Sequence, residues 1–234
     1  MLGILCLGMA PPSAAFAGAA VDIDDASLDI VSRYLDATRT QHEALRGAQM
    51  EVDIDAKLPK LEKQGKLRAL RSISKLGKIT YKALGFSGDN TVKQEVITRY
   101  LTAESEGRED GSIAISPANY KFRLKATLTR DETRTFIFQL TPKKKKVGLF
   151  KGELWLDGET GMPVRESGEF VKNPSVFLKK IEFVRDYEIQ GGVAIPKHIE
   201  SRVDTRLVGR AELSINFSNF THLENDEAGE AAGH

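Results

Sequence analysis

Residues 120–142 read YKFRLKATLTRDETRTFIFQLTP. Tyr120, Phe122, Leu124, Ala126 and Leu128 alternate with Lys121, Arg123, Lys125, Thr127 and Thr129, the pattern of a strand with one apolar face and one wet face. Phe136, Phe138 and Leu140 form a second such face. Asp131-Glu132 supplies the turn between the two arms, and Pro142 ends the second. An antiparallel hairpin follows, and its one-sidedness demands a partner layer over the apolar face.

The same grammar extends in both directions. Residues 152–156 and 162–171 flank Asp157-Gly158-Glu159-Thr160-Gly161, a connection suited to positive φ and local side-chain hydrogen bonds. Phe177, Ile181, Phe183, Tyr187 and Ile189 share one parity of a long strand that turns at Gly191-Gly192 and returns through Ile195, Ile199 and Val203. Leu213, Ile215 and Phe217 mark a final strand. Toward the N-terminus, 47–56 alternates Met50, Val52 and Ile54 with Glu51, Asp53 and Asp55, and 66–74 and 78–85 read as a further strand pair. Only two stretches have helical spacing: 26–38, with Leu28, Val31 and Leu35, and 91–105, with Val92, Val96 and Leu101. Eight to eleven strands and two early helices exclude a strand-by-strand βαβ order. The expected fold is α+β: one strongly curved antiparallel sheet forming an incomplete β-barrel, lidded by two helices from the N-terminal half.

Residues 1–17 are apolar and close on Ala15-Phe16-Ala17, the pattern of a signal peptide cleaved after Ala17. The expected organisation is a signal peptide at 1–17, one domain at 18–220 and a disordered acidic tail at 221–234. Export to the periplasm as a soluble protein follows from that reading, since no later stretch approaches the roughly 18 apolar residues that span a bilayer. Cys6, the single cysteine, lies within the leader. With 34 Lys+Arg against 33 Asp+Glu the net charge is +1, and no global field argues for nucleic acid.

Catalytic and metal-binding patterns are missing. His42, His198, His222 and His234 form no ligand spacing, and no glycine motif cradles a phosphate. His198 and Glu200 share a strand face, but a surface histidine is the simpler reading than a general base. The expectation is a non-enzymatic protein without cofactor or metal. A hydrolase using an unrecognised carboxylate site is the minority alternative.

The hairpin Leu154-Trp155-Leu156-Asp157-Gly158-Glu159-Thr160-Gly161-Met162-Pro163-Val164-Arg165, with the order helix, hairpin, helix and long meander over about residues 26–220, resembles the bacterial outer-membrane lipoprotein-sorting proteins, the family of the periplasmic LolA carrier. The resemblance implies a helix-lidded apolar cavity that shields acyl chains of a lipid or lipoprotein. It also implies an arginine in an early strand that keeps the lid responsive to cargo, for which Arg68 and Arg71 are the candidates. An acyl chain needs only removal from water, at about 0.8 kcal/mol per methylene. Phe122, Phe136, Phe138, Trp155, Phe177, Phe183 and Phe217 are the candidate lining, with ordinary core packing as the competing role of each. Lys143, Lys144, Lys145 and Lys146 are expected to stay in water as a loop that meets an anionic membrane or headgroup; a solubilising turn is the plainer reading of the same residues. The alternative function is a non-catalytic envelope module that binds a protein partner.

Overall fold

The computed structural model describes residues 25–106, 112–206 and 208–222. The expected signal peptide and all but the first two residues of the expected tail lie outside them; those two, Thr221 and His222, end the last strand.

Ten strands carry the chain: β1 (Ala48–Leu58), β2 (Lys63–Ile73), β3 (Ile79–Gly88), β4 (Tyr120–Arg130), β5 (Thr133–Pro142), β6 (Phe150–Asp157), β7 (Pro163–Phe170), β8 (Leu178–Gln190), β9 (Val193–Thr205) and β10 (Arg210–His222). They form one antiparallel sheet in the order β3-β2-β1-β10-β9-β8-β7-β6-β5-β4. The first and last strands pair, so the consecutive strands β3 and β4 become the two edges and the sheet stays open. Helix α1 (Asp25–Ala44) precedes β1. The crossover from edge to edge is the second helical stretch: α2 (Asn90–Val92), a π-helical turn (Lys93–Thr98) and α3 (Arg99–Glu106). Asp89 caps it by accepting from the Thr91 amide at 2.7 Å.

Both helices lid the same face, as cross-strand partners establish. Leu124, Phe138, Leu154, Glu166, Arg185, Ile199, Ile215, Ile54, Leu67 and Phe86 are opposed in one continuous row from edge to edge. Opposed residues share a face, so this row defines the inner side of the sheet. It is apolar except at Glu166 and Arg185.

Two expectations need correction. Helix α1 extends beyond residue 38 to Ala44, because Gln41 Nε2 reaches the Ala194 carbonyl of β9 at 2.9 Å and anchors a polar stretch that lacks an apolar stripe. β8 begins at Leu178, so Phe177 lies in the preceding loop. That loop is drawn off the ladder by Asn173, whose Nδ2 donates to the carbonyls of Leu178 and Lys179 at 3.1 and 3.0 Å.

Candidate functional site

The inner face carries two apolar clusters, each under its own helix. Beneath α1, Ile30 and Tyr34 pack with Tyr120, Phe136, Phe138, Leu154, Leu156 and Phe183. α1 is also tied to the β6–β7 hairpin: Arg33 Nη1 donates to the carbonyls of Gly158 and Glu159 at 3.0 and 2.8 Å. The approach depends on Gly161, which has φ +73° and whose missing Cβ would lie 2.8 Å from Arg33 Cβ. Beneath the second helix, Val92 and Ile97 pack with Met50, Val52, Ile54, Leu67, Ala69 and Ile215. This cover is thinner, since α3 has no fully buried residue and packs only Tyr100 and Leu101 partly against the cluster.

Glu104 ties α3 to the sheet by hydrogen bonds, beside the partial packing of Tyr100 and Leu101. Arg71 of β2 donates to Glu104 Oε1 from Nη2 at 3.0 Å and from Nε at 3.2 Å, and the Tyr81 hydroxyl donates to Glu104 Oε2. Arg71 Nη1 also lies 3.8 Å from Met50 Sδ. The Arg71 side chain is 8% exposed and that of Glu104 23%. Burial works against the Arg71 charge, but Glu104 and Tyr81 outweigh it and the guanidinium is held above its ordinary pKa. Burial, then Glu104, push the Tyr81 and Tyr100 phenols up, so both remain protonated donors.

A second ionic pair interrupts the inner row at the middle of the sheet. Glu166 of β7 is buried and faces Arg185 of β8 across the ladder, with Nη1 to Oε2 at 3.4 Å. The Arg185 guanidinium also sits 4.7 Å from the centre of the Phe183 ring. Burial opposes its charge, while Tyr187 and Glu166 raise its pKa above the ordinary value. Tyr187 rises through burial first and Glu166 second. The Arg185 side chain keeps 40% of its surface open, so a polar seam separates the two apolar clusters.

The expected site residues divide by face. Phe136, Phe138 and Phe183 are buried in the α1 cluster, Phe122 packs at its margin edge-on to Phe138, and Phe217 packs at the margin of the other cluster. Trp155 is on the outer face, one residue out of phase with buried Leu154 and Leu156. There its indole donates to Glu153 at 3.0 Å and Arg165 lies over the ring. Phe177 is 56% exposed at a loop. Arg71 and Arg68, three residues apart, point to opposite faces: Arg71 is buried under α3, and Arg68 pairs with Glu51 on the outer face. Of the two, only Arg71 touches a lid. Lys143, Lys144, Lys145 and Lys146 form an exposed loop between β5 and β6, with Lys143 donating to the Pro117 carbonyl and Lys146 to Ser112. The residues that sequence reasoning missed are Glu104, Tyr81, Glu166 and Arg185. Glu166 and Arg185 carried a readable signal, being charges on the apolar parity of their strands.

A hollow of about 440 Å³ opens beside Asp53, Asp55, Lys66 and Arg68, whose side chains belong to the outer face, and one of about 130 Å³ lies by Met50, Phe217 and Phe220. The side chains of both apolar clusters are buried or half-buried against one another. Among the described residues no cluster of His, Cys, Asp and Glu is arranged to hold a metal, and no helix is long and apolar enough to cross a membrane. His198 lies on the outer face, 2.8 Å from Asn216 Oδ1 and 3.5 Å from Glu200.

No protein-family model matches the chain, and no curated protein is detectably similar to it in sequence. Among solved structures it is similar to a DUF1329 family protein from Desulfovibrio piger, with TM-score 0.41, 16% identity, and 84% of this chain and 94% of that one covered. It is similar also to a LolA superfamily protein from Nitrosomonas europaea, with TM-score 0.37, 13% identity, and coverage of 84% and 95%. A third is MucB in complex with MucA from Pseudomonas aeruginosa, with TM-score 0.27, 10% identity, and coverage of 81% and 98%. A likeness this loose carries no function from those proteins to this one.

Proposed function

We propose that this chain is a non-catalytic binding protein of the bacterial envelope that shields an acyl chain of a lipid or lipoprotein on the inner face of its sheet, beneath the second helix. The observation that supports this reading is the contrast between floor and lid. The floor of Met50, Val52, Ile54, Leu67, Ala69 and Ile215 is wholly apolar, whereas α3 above it has no fully buried residue, packs Tyr100 and Leu101 only partly against that floor, and is hydrogen-bonded to the sheet through one carboxylate. An acyl chain therefore enters by displacing a helix, and Phe217, at the margin of that floor, is the nearest of the aromatic candidates to line its path. Arg71 takes the role of the lid-sensing arginine. In this reading Lys143 to Lys146 stay in water and meet an anionic membrane without forming the cargo site. The two open edges, β3 with Leu84 and β4 with Leu128 exposed, favour as a second reading a protein partner that adds a strand.

Native mass spectrometry of the chain purified without detergent, then delipidated and reloaded with palmitate, tests the first reading. One acyl chain retained per protein is expected. A chain that stays empty through purification and reloading excludes it.

A further inference from the structure

The turns at one end of the sheet make a continuous rim. The β5–β6 loop adjoins the β7–β8 loop through the Val171 amide, which donates to the Leu149 carbonyl at 3.0 Å. The β7–β8 loop adjoins the β9–β10 loop through Arg206, whose amide donates to the Phe177 carbonyl and whose Nε donates to the Val176 carbonyl, both at 2.9 Å. Gly209 of that last loop lies against Lys60 in the β1–β2 connection. On this rim Val176 and Phe177 are 78% and 56% exposed. Their exposure is built in: Arg206 fixes both carbonyls, Ser175 Oγ accepts from the Phe177 amide at 3.3 Å, and Asn173 holds the chain just beyond. The loop thus presents two neighbouring apolar side chains to solvent as a fixed wedge.

The surroundings of the wedge state what covers it. Among the described residues Lys60, Lys144, Lys145, Lys172 and Arg206 are exposed on the same rim and form no ion pair, while the Asp204 carboxyl, held down chiefly by its hydrogen bond with Arg210, also feels the charge of Lys179. The rim cations that are paired lie nearby, Lys180 with Glu169 and Glu182, and Arg210 with Asp204. Uncompensated cations around protruding apolar side chains match an anionic lipid surface, where apolar groups enter the acyl boundary and cations remain at the phosphates. A protein partner buried against the same rim would have to neutralise or desolvate these charges.

We infer that this rim docks on an anionic bilayer with Val176 and Phe177 inserted below the headgroups. The inference takes in the membrane role proposed for the lysine loop and adds the apolar wedge. It does not depend on cargo. Flotation of the empty chain with phosphatidylglycerol-containing vesicles across a salt series tests it. Val176→Ser with Phe177→Ser is expected to lower partitioning by tenfold or more at every salt concentration, since each side chain forfeits about tenfold in transfer. Neutralising Lys143 to Lys146 to Gln is expected to weaken partitioning strongly at low salt and little at high salt, at roughly fivefold per cation near the surface. Leu76→Ser is the control, because Leu76 is 93% exposed between Lys75 and Lys78 at the opposite end of the sheet, and it should change nothing. Phe177→Trp in a Trp155→Phe background should shift its emission to the blue on binding and be quenched by brominated lipid tails. Unchanged emission, or flotation of the serine variant equal to that of the parent, overturns the wedge; loss in the lysine variant alone would leave only the electrostatic encounter standing. Equal binding to purely zwitterionic vesicles overturns the choice of an anionic surface.

Discussion

Gly152→Ala is expected to lower the melting temperature by roughly 10 °C, from a loss of about 3 kcal/mol or more at some 2–4 °C per kcal/mol for a chain of this size. Gly152 of β6 is opposed to Gly168 of β7. A Cβ on Gly152 would lie 1.9 Å from the Ser167 carbonyl oxygen and 2.5 Å from Gly168 Cα, and one on Gly168 would lie 2.7 Å from the Phe150 ring. These obstacles are backbone or a packed ring, so no rotamer change relieves them, and the strands must part or lose ladder bonds. The two missing side chains leave room on the inner face for Phe150 and Phe183, which meet edge to face with centroids 4.9 Å apart. Gly85→Ala on edge strand β3 is the comparison, because its Cβ would meet nothing within 4 Å. It should be neutral or stabilise by about 0.4–1 kcal/mol through the unfolded chain. Thermal unfolding of both variants decides: equal melting temperatures would mean that the close approach of β6 and β7 is not a determinant of the fold.

The strands were legible because each antiparallel strand keeps one face wet, so period two survives in 120–142 and in 47–56. The open order was legible in part, from the count of strands and the want of helices between them. Residue 155 shows where this reading stops. Leu154, Trp155 and Leu156 are three apolar residues in a row, and alternation cannot say which parity is inside; the indole went outward to Glu153 and Arg165. Phe177 kept the parity of β8 but was placed by side chains of Asn173, Ser175 and Arg206, which no periodicity records. Arg68 and Arg71 were separable once Val52 and Ile54 had fixed the inner parity of β1 and the hairpin register had been set. Their distinct roles were not, because the partner that gives Arg71 its role, Glu104, lies 33 residues away on a helix whose docking is a tertiary event.

Glu104→Ala should release α3 from the sheet and leave α1 in place. The substitution strands the Arg71 guanidinium in an 8% exposed site and removes the acceptor of the Tyr81 hydroxyl. An uncompensated buried charge costs about 3–5 kcal/mol when the rest of the structure is rigid. Here the structure has a less costly escape: α3 has no fully buried residue, so lifting it rehydrates Arg71 while forfeiting only the partial packing of Tyr100 and Leu101 on the apolar cluster. The cost is therefore expected as local opening, with amides of 99–106 losing hydrogen-exchange protection by about a hundredfold, as an opening made easier by some 2.7 kcal/mol gives, while those of 30–41 hold theirs. Glu104→Gln keeps an acceptor for Tyr81 but not the charge, and should fall between. Arg71→Met combined with Glu104→Leu replaces the pair by apolar volume and should restore most of the protection. If the second helix is the lid over the acyl site, palmitate uptake should accelerate in Glu104→Ala in step with the lost protection and slow again in the double variant. Protection lost evenly over both helices would refute a local latch. Exchange that changes as expected while uptake does not would keep the latch and remove the lid from the path of the cargo.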